Sequence, residues 1–279
     1  MNKELINYIK LLLSKYTSMS LADFVIKAYL KIIKIIRMRI AGFFYKNYDF
    51  RKNQISNIEL DFGKTSFENF DLNLSASKKL EFLQRSWMTG FYDFLGSGPV
   101  NVNLDKNDQL NLLSAHAPYS SMVRQQLSDG YLLKRWNEDF KSGHSWSNTI
   151  LSFKCTYGDK DGVDIKLPWE FSRLQHLPQM AIYAISDECR NQEELSQEII
   201  DQILDFWSSN PLYMGPNWIC AMDVGIRAVN ILMALQILTS RFPDLITTKQ
   251  RSLISQSIYH HGKFIVENLE YSAELTSNH

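Results

Sequence analysis

From Pro168 onward the chain alternates apolar stretches of helical period with short polar breakers. Apolar positions that recur every three or four residues predict four helices, over residues 169–186, 192–208, 217–240 and 249–271. Pairs such as Asn210 with Pro211 and Gly215 with Pro216 separate them. Helices joined by short loops, without strand signals between them, predict a mainly all-α fold built as a curved stack or closed ring of antiparallel helix hairpins.

The N-terminal half is less regular. Shorter helices are predicted over residues 77–94, 119–133 and 136–141. Polar stretches rich in Asn, Asp, Ser and Gly lie between them, at residues 46–77, 101–108 and 142–166. We interpret the first stretch as a linker and the last as an excursion over the surface. The expected organisation is a helical leader and linker over residues 1–76, followed by the main helical domain over residues 77–279.

The leader contains a basic amphipathic helix. Residues 21–45 combine strong apolar periodicity with Lys27, Lys31, Lys34, Arg37 and Arg39. Such a helix can lie on an anionic membrane surface, which makes peripheral membrane contact one interpretation. The other interpretation is a helix whose apolar side packs on the main domain while its lysines face water.

Composition limits the partners and the chemistry. With 30 basic and 30 acidic residues the formal net charge is zero, so the chain predicts no nucleic-acid partner, and local groups must bind any anionic partner. Three widely spaced cysteines argue against a disulfide framework and a zinc motif, and we expect free buried thiols. The sequence also lacks the motifs of serine hydrolases, nucleotide-binding enzymes and zinc proteases.

The N-terminus indicates no secretion signal. Glu4, Asn7 and Lys10 interrupt its apolar stretch, and no small-residue cleavage site follows. The chain therefore reads as soluble, while its cellular location and its oligomeric state stay open.

Three polar side chains share one face of the otherwise apolar helix over residues 219–238. Asp223, Arg227 and Asn230 follow one another at intervals of four and three. A buried charge costs several kcal/mol, by a rough estimate, unless it is paired and hydrogen-bonded. The stripe therefore predicts either part of a binding site or a structural pair in which Asp223 and Arg227 satisfy each other.

A second polar cluster lies at the start of the helix predicted over residues 169–186. Trp169, Arg173 and His176 are spaced by four and three residues, and Glu170 can pair with Arg173. A tryptophan beside an arginine, a histidine and a carboxylate suits an acidic sugar, because a sugar face stacks on Trp and Arg binds carboxylate or sulfate with two donors. A solvated helix face with a surface ion pair is the alternative.

Four segments together resemble the heparinase II/III family of polysaccharide lyases. They read FYDFLGSGPV at residues 91–100, DFKSGHSW at residues 139–146, PWEFSRLQHLPQMAIYA at residues 168–184, and NP followed by MGPNWICAMDVGIRAVN within residues 210–230. An Asn-His pair after a long helix adds to the likeness, which spans Phe91 to His279.

The resemblance implies an N-terminal α/α toroid followed by a C-terminal antiparallel β-sandwich, with substrate between them. This sequence stops at His279, so the expectation is a truncated toroid without the β-sandwich, inactive by itself. The family's reaction is β-elimination on uronic-acid-containing anionic polysaccharides and needs no cofactor. A structural metal in the C-terminal domain is compatible with the resemblance, and this segment has no predicted metal site.

The resemblance also implies roles for individual residues. Asn278 would hydrogen-bond the substrate carboxylate, and His279 would take part in proton transfer. The expected substrate-binding residues are Trp169, Glu170, Arg173, His176, Asn217, Trp218, Asp223 and Arg227. A non-catalytic glycan-binding or assembly module for bacterial surface polysaccharide is the alternative function. A hydrolase using Glu170 and Asp223 ranks lower, because both are expected to pair with arginine.

Overall fold

The computed structural model describes residues 20–53, 60, 74–105 and 110–269. Helices dominate this part of the chain, which confirms the mainly helical class. The helices are α1 (Leu21–Lys46), α2 (Leu74–Met88), α3 (Ala117–Arg124), α4 (Lys166–Ser172), α5 (His176–Ala184), α6 (Gln192–Ser209), α7 (Ala221–Arg241) and α8 (Thr248–Glu267). Two short 3₁₀ helices, Ser152–Lys154 and Pro216–Trp218, lie between them. The closed ring of hairpins stays a prediction.

Helix α7 lies at the centre of the C-terminal helices. It packs against α5 and α8, while α6 packs against α3, α5 and α8. Leu235, Leu238 and Leu253 are fully buried where these helices meet, which explains the apolar periodicity of the sequence. By length and composition α7 could cross a membrane, but half of its most apolar stretch is buried in the fold, as in the core helix of a globular domain.

One predicted helix is two helices in the structure. The sequence pattern favours a single helix over residues 169–186, but α4 ends at Ser172 and α5 begins at His176. Leu174 between them has a left-handed backbone with φ of 56° and a fully buried side chain. Pro178 explains the break, because in a continuous helix its ring would clash with the carbonyl of Leu174.

The helix predicted over residues 136–141 is a β-hairpin. Strand β3 (Glu138–Asp139) pairs with β4 (His144–Ser145) in antiparallel register. The buried Asp139 carboxylate accepts hydrogen bonds from the Lys141 backbone N–H at 2.9 Å and the Ser142 hydroxyl at 2.6 Å. This local turn chemistry competes with helix formation, and Gly143 closes the turn with φ of 73°.

Two other N-terminal predictions were too long. The helix expected over residues 77–94 ends at Met88, after which β1 (Phe91–Tyr92) pairs with β2 (Val100–Asn101). The helix expected over residues 119–133 ends at Arg124.

The stretch over residues 142–166 is not only a surface excursion, because Trp146, Asn148 and Ser152 within it are buried. Their polar atoms find partners inside the fold: the Trp146 indole N–H donates to the Thr156 carbonyl at 3.0 Å. The three cysteines, all among the described residues, form no disulfide with one another; Cys189 is buried, and Cys155 and Cys220 are partly exposed.

Helix α1 forms as predicted, yet its apolar side does not pack on the main domain along its length. Its C-terminal end is anchored by Tyr45, which is buried and stacks on Tyr213 with ring centroids 5.0 Å apart. Val25, Ile32 and Ile36, by contrast, are at least half exposed. The interpretation that packs this side on the body is therefore wrong for these residues.

Candidate functional site

The segments that resemble the lyase family pack onto one another in three dimensions. The Lys141 ammonium donates to the Leu95 carbonyl at 2.6 Å, which joins residues 139–146 to residues 91–100. The Phe94 ring packs against the Phe171 ring with centroids 5.0 Å apart. Segments far apart in sequence thus form one assembly, with α4 at its centre.

Trp169, Glu170, Arg173 and Asp223 form a cluster at the partly exposed end of α4, which we call the rim cluster. The Arg173 guanidinium donates to Asp223 Oδ1 at 2.7 Å and to Glu170 Oε2 at 2.6 Å. The predicted ion pair between Glu170 and Arg173 is confirmed. The Trp169 indole N–H donates to the Pro216 carbonyl at 2.9 Å, so the ring is held at the edge of the 3₁₀ turn.

Asp223 pairs with Arg173. It does not form the pair with Arg227 that the helical spacing predicts. Its carboxylate is 3% exposed, and Arg173 reaches it from α4 while keeping 23% of its own side chain exposed. Burial disfavours the charged guanidinium, but the hydrogen bond and charge of Asp223 outweigh that effect and hold the pKa of Arg173 above its usual value. Asn230, the third residue of the stripe, donates to the Arg173 carbonyl at 2.8 Å.

Arg227 is fully buried and tied to three other elements. Its guanidinium donates to His261 Nε2 at 3.0 Å, to the Asn217 carbonyl at 3.0 Å and to the Ser172 carbonyl at 3.2 Å. His261 Nδ1 lies 2.7 Å from the Ser257 carbonyl, so Nδ1 carries the proton and Nε2 is the acceptor for Arg227. Arg227 therefore links α7 to α4, α8 and the 3₁₀ turn.

Aromatic rings cover the Arg227 guanidinium. It lies over Phe206 at 4.3 Å and over Trp218 at 5.1 Å from the ring centroids. Burial lowers the pKa of Arg227 to about 9, although the charge of Asp223 opposes the shift. At neutral pH the side chain is a buried cation stabilised by carbonyls and aromatic faces.

Asn217 lies at the centre of a buried network of amides. Its Nδ2 contacts Asn137 Oδ1 at 2.7 Å, Asn210 Oδ1 at 2.9 Å and the Trp136 carbonyl at 3.1 Å. Trp218 is also buried, and its indole N–H donates to the Asn210 carbonyl at 3.0 Å. Asn217 thus connects the 3₁₀ turn to the chain around Trp136, and both residues connect it to Asn210.

His176 is separated from the rim cluster because the chain breaks between α4 and α5. Its Nε2 lies 2.7 Å from Gln202 Oε1 on α6, and its ring packs edge-on against Tyr92. Burial lowers the pKa of His176 to about 4, so the imidazole is neutral at physiological pH. The prediction from helical spacing that His176 lies beside Trp169 and Arg173 is therefore wrong.

A cleft of about 390 Å³, lined by polar and apolar groups in similar measure, opens beside this assembly. It lies between residues 134–138 and residues 145–148, and Leu104, Leu110, Asn111 and Ser209 line the rest of its wall. Its volume falls within the range of small-molecule sites, roughly 300–1,000 Å³. Reasoning from the sequence named none of its lining residues as a site.

Two neighbouring cations belong to the cleft. The Lys134 ammonium is buried, 3.4 Å from Glu198 and 2.9 Å from the Asn103 side-chain oxygen. The Arg135 side chain is 32% exposed and donates to Glu138 at 2.6 Å and to the Asn101 carbonyl. Its Nε is buried and has no hydrogen-bond partner among the described residues. Because Lys134 is only 3% exposed, Arg135 is the cleft cation whose side chain can reach a ligand.

Asp205 connects the cleft wall to α6. Reasoning from the sequence did not identify it as a site residue. Its buried carboxylate accepts from the Lys134 backbone N–H at 2.8 Å, the Trp136 indole at 3.1 Å and the Ser209 hydroxyl at 2.8 Å. Burial raises the pKa of Asp205 to about 6 even though these donors oppose the shift. The signal for it was a charge within the apolar stretch of α6, the same signal that singled out α7.

The expected catalytic residues Asn278 and His279 lie outside the described residues. Within the described ranges, no group of three or more His, Cys, Asp or Glu side chains is placed to bind a metal ion.

Comparison with protein-family models, curated proteins and solved structures finds no match to this chain. The likeness to the lyase family therefore rests on the motif residues themselves.

Proposed function

We propose that this chain is the helical, glycan-binding part of a polysaccharide lyase of the heparinase II/III type. An anionic, uronic-acid-containing polysaccharide would lie along the cleft between residues 134–138 and residues 145–148. The observation that carries the proposal is the cleft itself, in which a partly exposed guanidinium lies among amides and hydroxyls, beside an assembly built from the family-like segments.

The groups in the cleft suit an acidic sugar. Arg135 offers planar donors that match carboxylate or sulfate oxygens, and a bound anion would share it with Glu138. Asn111 and Ser145 are exposed on the cleft wall and can exchange hydrogen bonds with sugar hydroxyls. Because the whole chain carries no net charge, a local cation of this kind is what an anionic glycan requires.

The proposed reaction is a β-elimination. A base removes the C5 proton of a uronate, the C4 to oxygen bond breaks, the departing oxygen takes up a proton, and a C4 to C5 double bond forms. Asn278 would stabilise the carboxylate as negative charge develops, and His279 would exchange a proton. The described residues would bind the chain and orient it for those groups.

A second function, glycan binding without turnover, is favoured by one observation. The titratable side chains with the most perturbed pKa values in the described part, such as His176, His261 and Asp205, are buried in hydrogen-bonded networks. Groups committed in this way hold the fold together and are poorly placed for proton transfer to a ligand.

Replacing Arg135 tests the cleft. We expect Arg135→Ala to weaken binding of uronate polymers such as heparan sulfate or hyaluronate about tenfold or more, since a charge-assisted contact contributes roughly 1.5–3 kcal/mol. Titration calorimetry of the whole chain measures the affinity. Arg51→Ala is the matched control, because Arg51 also pairs with an acidic residue on its own segment, Asp49, but lies outside the cleft.

The outcomes separate the two functions. Unchanged affinity in Arg135→Ala, or no binding across charged glycans, would contradict the cleft assignment. Turnover is assayed by ultraviolet absorbance of the new double bond, on the protein carrying whatever residues follow His279 in its coding sequence. Binding by that protein without any unsaturated product would support the non-catalytic function.

A further inference from the structure

Helix α1 presents a continuous stripe of exposed apolar side chains. Its members follow at intervals of three or four residues and thus share one face: Val25, Tyr29, Ile32, Ile36, Ile40 and Phe43. Each is at least half exposed, and Phe43 reaches 78%. Exposed apolar residues scattered singly are normal, whereas a continuous stripe over five turns indicates a surface that meets an apolar environment.

The anchoring of α1 leaves most of this stripe turned away from the body, although Ile40, near the anchored end, lines a cleft with Tyr213 and Val266. Tyr45, two residues after Phe43 and so on the other side of the helix, packs on Tyr213, and its carbonyl contacts His116 Nε2 at 2.8 Å. Gly42 lies so close to the 3₁₀ helix Ser152–Lys154 that a Cβ there would come within 2.7 Å of the Phe153 ring. The helix is therefore held at its C-terminal end by the face opposite the stripe.

The charge of α1 identifies what the stripe fits. Between Leu21 and Lys46 the sequence has six Lys or Arg residues and one Asp, a net charge of +5 in a chain whose total is zero. Arg37 and Arg39, which flank the stripe, are both exposed. Apolar side chains bordered by cations match the boundary between acyl chains and anionic headgroups.

We propose that α1 lies on an anionic membrane surface, with the apolar stripe at the acyl boundary and the basic residues at lipid phosphates. The helix has 26 residues and is about 39 Å long, and its charges are too many for a spanning segment. A second copy of the chain fits the stripe less well, because two helices of charge +5 would repel each other. This membrane contact is independent of the proposed function and would bring the glycan cleft to an envelope surface.

Vesicle binding by the whole chain tests the proposal. We expect cosedimentation with phosphatidylcholine vesicles containing roughly 30% phosphatidylglycerol, little with phosphatidylcholine alone, and less as salt is raised. Ile32→Asp with Ile36→Asp should lower the bound fraction at least about tenfold, because two charges would enter the acyl boundary. Phe82→Asp is the matched control, since Phe82 is 74% exposed on α2.

Charge reversal tests the second half of the proposal. Arg37→Glu with Arg39→Glu should weaken binding to the anionic vesicles while leaving the circular dichroism spectrum unchanged. Equal binding by the Ile32 and Ile36 double variant would overturn the proposal. A wild-type chain that does not bind anionic vesicles would also overturn it. So would a wild-type oligomer that is dissociated by the two substitutions. The affinity of the cleft for glycans is measured separately and does not depend on these results.

Discussion

Arg173 is the side chain that holds the rim cluster together. From the residue that follows α4 it donates to Glu170 on that helix and to Asp223 on α7. Asp223 Oδ2 is buried and has no hydrogen-bond partner among the described residues, so its carboxylate depends on this guanidinium. The cluster therefore stabilises the contact between α4 and α7 whether or not it also binds a glycan.

Removing Arg173 should destabilise the fold. Arg173→Ala leaves the Asp223 carboxylate buried and unpaired, and we expect the free energy of unfolding to fall by about 2–4 kcal/mol in urea denaturation. Arg173→Lys should recover part of the loss, because one ammonium cannot bind both carboxylates in the same geometry. Arg241→Ala, which breaks a looser exposed pair with Asp187, should change stability little. Equal effects of the two alanine variants would contradict the assigned role.

At the scale of elements, the C-terminal helices could be read from the sequence and the middle of the chain could not. Helix α6 begins at its predicted position, and α7 and α8 begin within four residues of theirs, because each has an apolar face that must be buried. The hairpin over residues 138–145 depends on side chains that form hydrogen bonds with the neighbouring backbone. The break before α5 depends on a single proline. Such local effects override the helical periodicity of the apolar residues in the surrounding sequence.

The start of α8 offers a test of one such local interaction. Thr247 and Gln250 form a capping box: the Thr247 hydroxyl accepts from the Gln250 backbone N–H at 3.2 Å, and the Gln250 side chain accepts from the Thr247 N–H at 3.1 Å. Thr247→Ala should therefore lower the free energy of unfolding by about 1 kcal/mol. Thr248→Ala, the neighbouring exposed threonine inside the helix, is the control in the same denaturation experiment. A variant as stable as the wild type would show that the cap contributes nothing.

For the molecule as a whole, buried histidines contribute to the response to acid. His176, His260 and His261 are buried, and burial is the largest cause that lowers the pKa of each. Between about pH 4 and 6.5 the unfolded chain binds more protons at these sites than the folded chain does. The stability that they contribute is thus present above pH 6.5 and is lost as the pH falls. Asp205, whose pKa is raised to about 6, acts in the opposite direction.

Replacing His260 should reduce this acid sensitivity. Burial, helped by Lys263, lowers the pKa of His260 to about 4, and its ring stacks on Trp207. We expect His260→Phe to keep the packing. Between pH 6.5 and 4, its free energy of unfolding should fall by less than that of the wild type, with a difference of up to about 3 kcal/mol. Denaturation curves recorded across that range measure the difference. Parallel pH profiles for the two proteins would contradict the shift.

The sequence by itself determined the helical class, the main C-terminal helices, the basic amphipathic leader and the ion pair between Glu170 and Arg173. All of these follow from spacing along one element, where residues three or four positions apart become neighbours. The likeness to a lyase family was also read from the sequence, and it stays a proposal.

Only the tertiary structure decided which side chains meet across elements. It gave Asp223 to Arg173, 50 positions away, and surrounded Arg227 with His261 and backbone carbonyls. It also formed the cleft around Arg135 and left the stripe of α1 exposed. A buried charge must find a counter-charge or a set of hydrogen bonds, but its partner is chosen by how helices pack, and spacing along one helix carries no record of that choice.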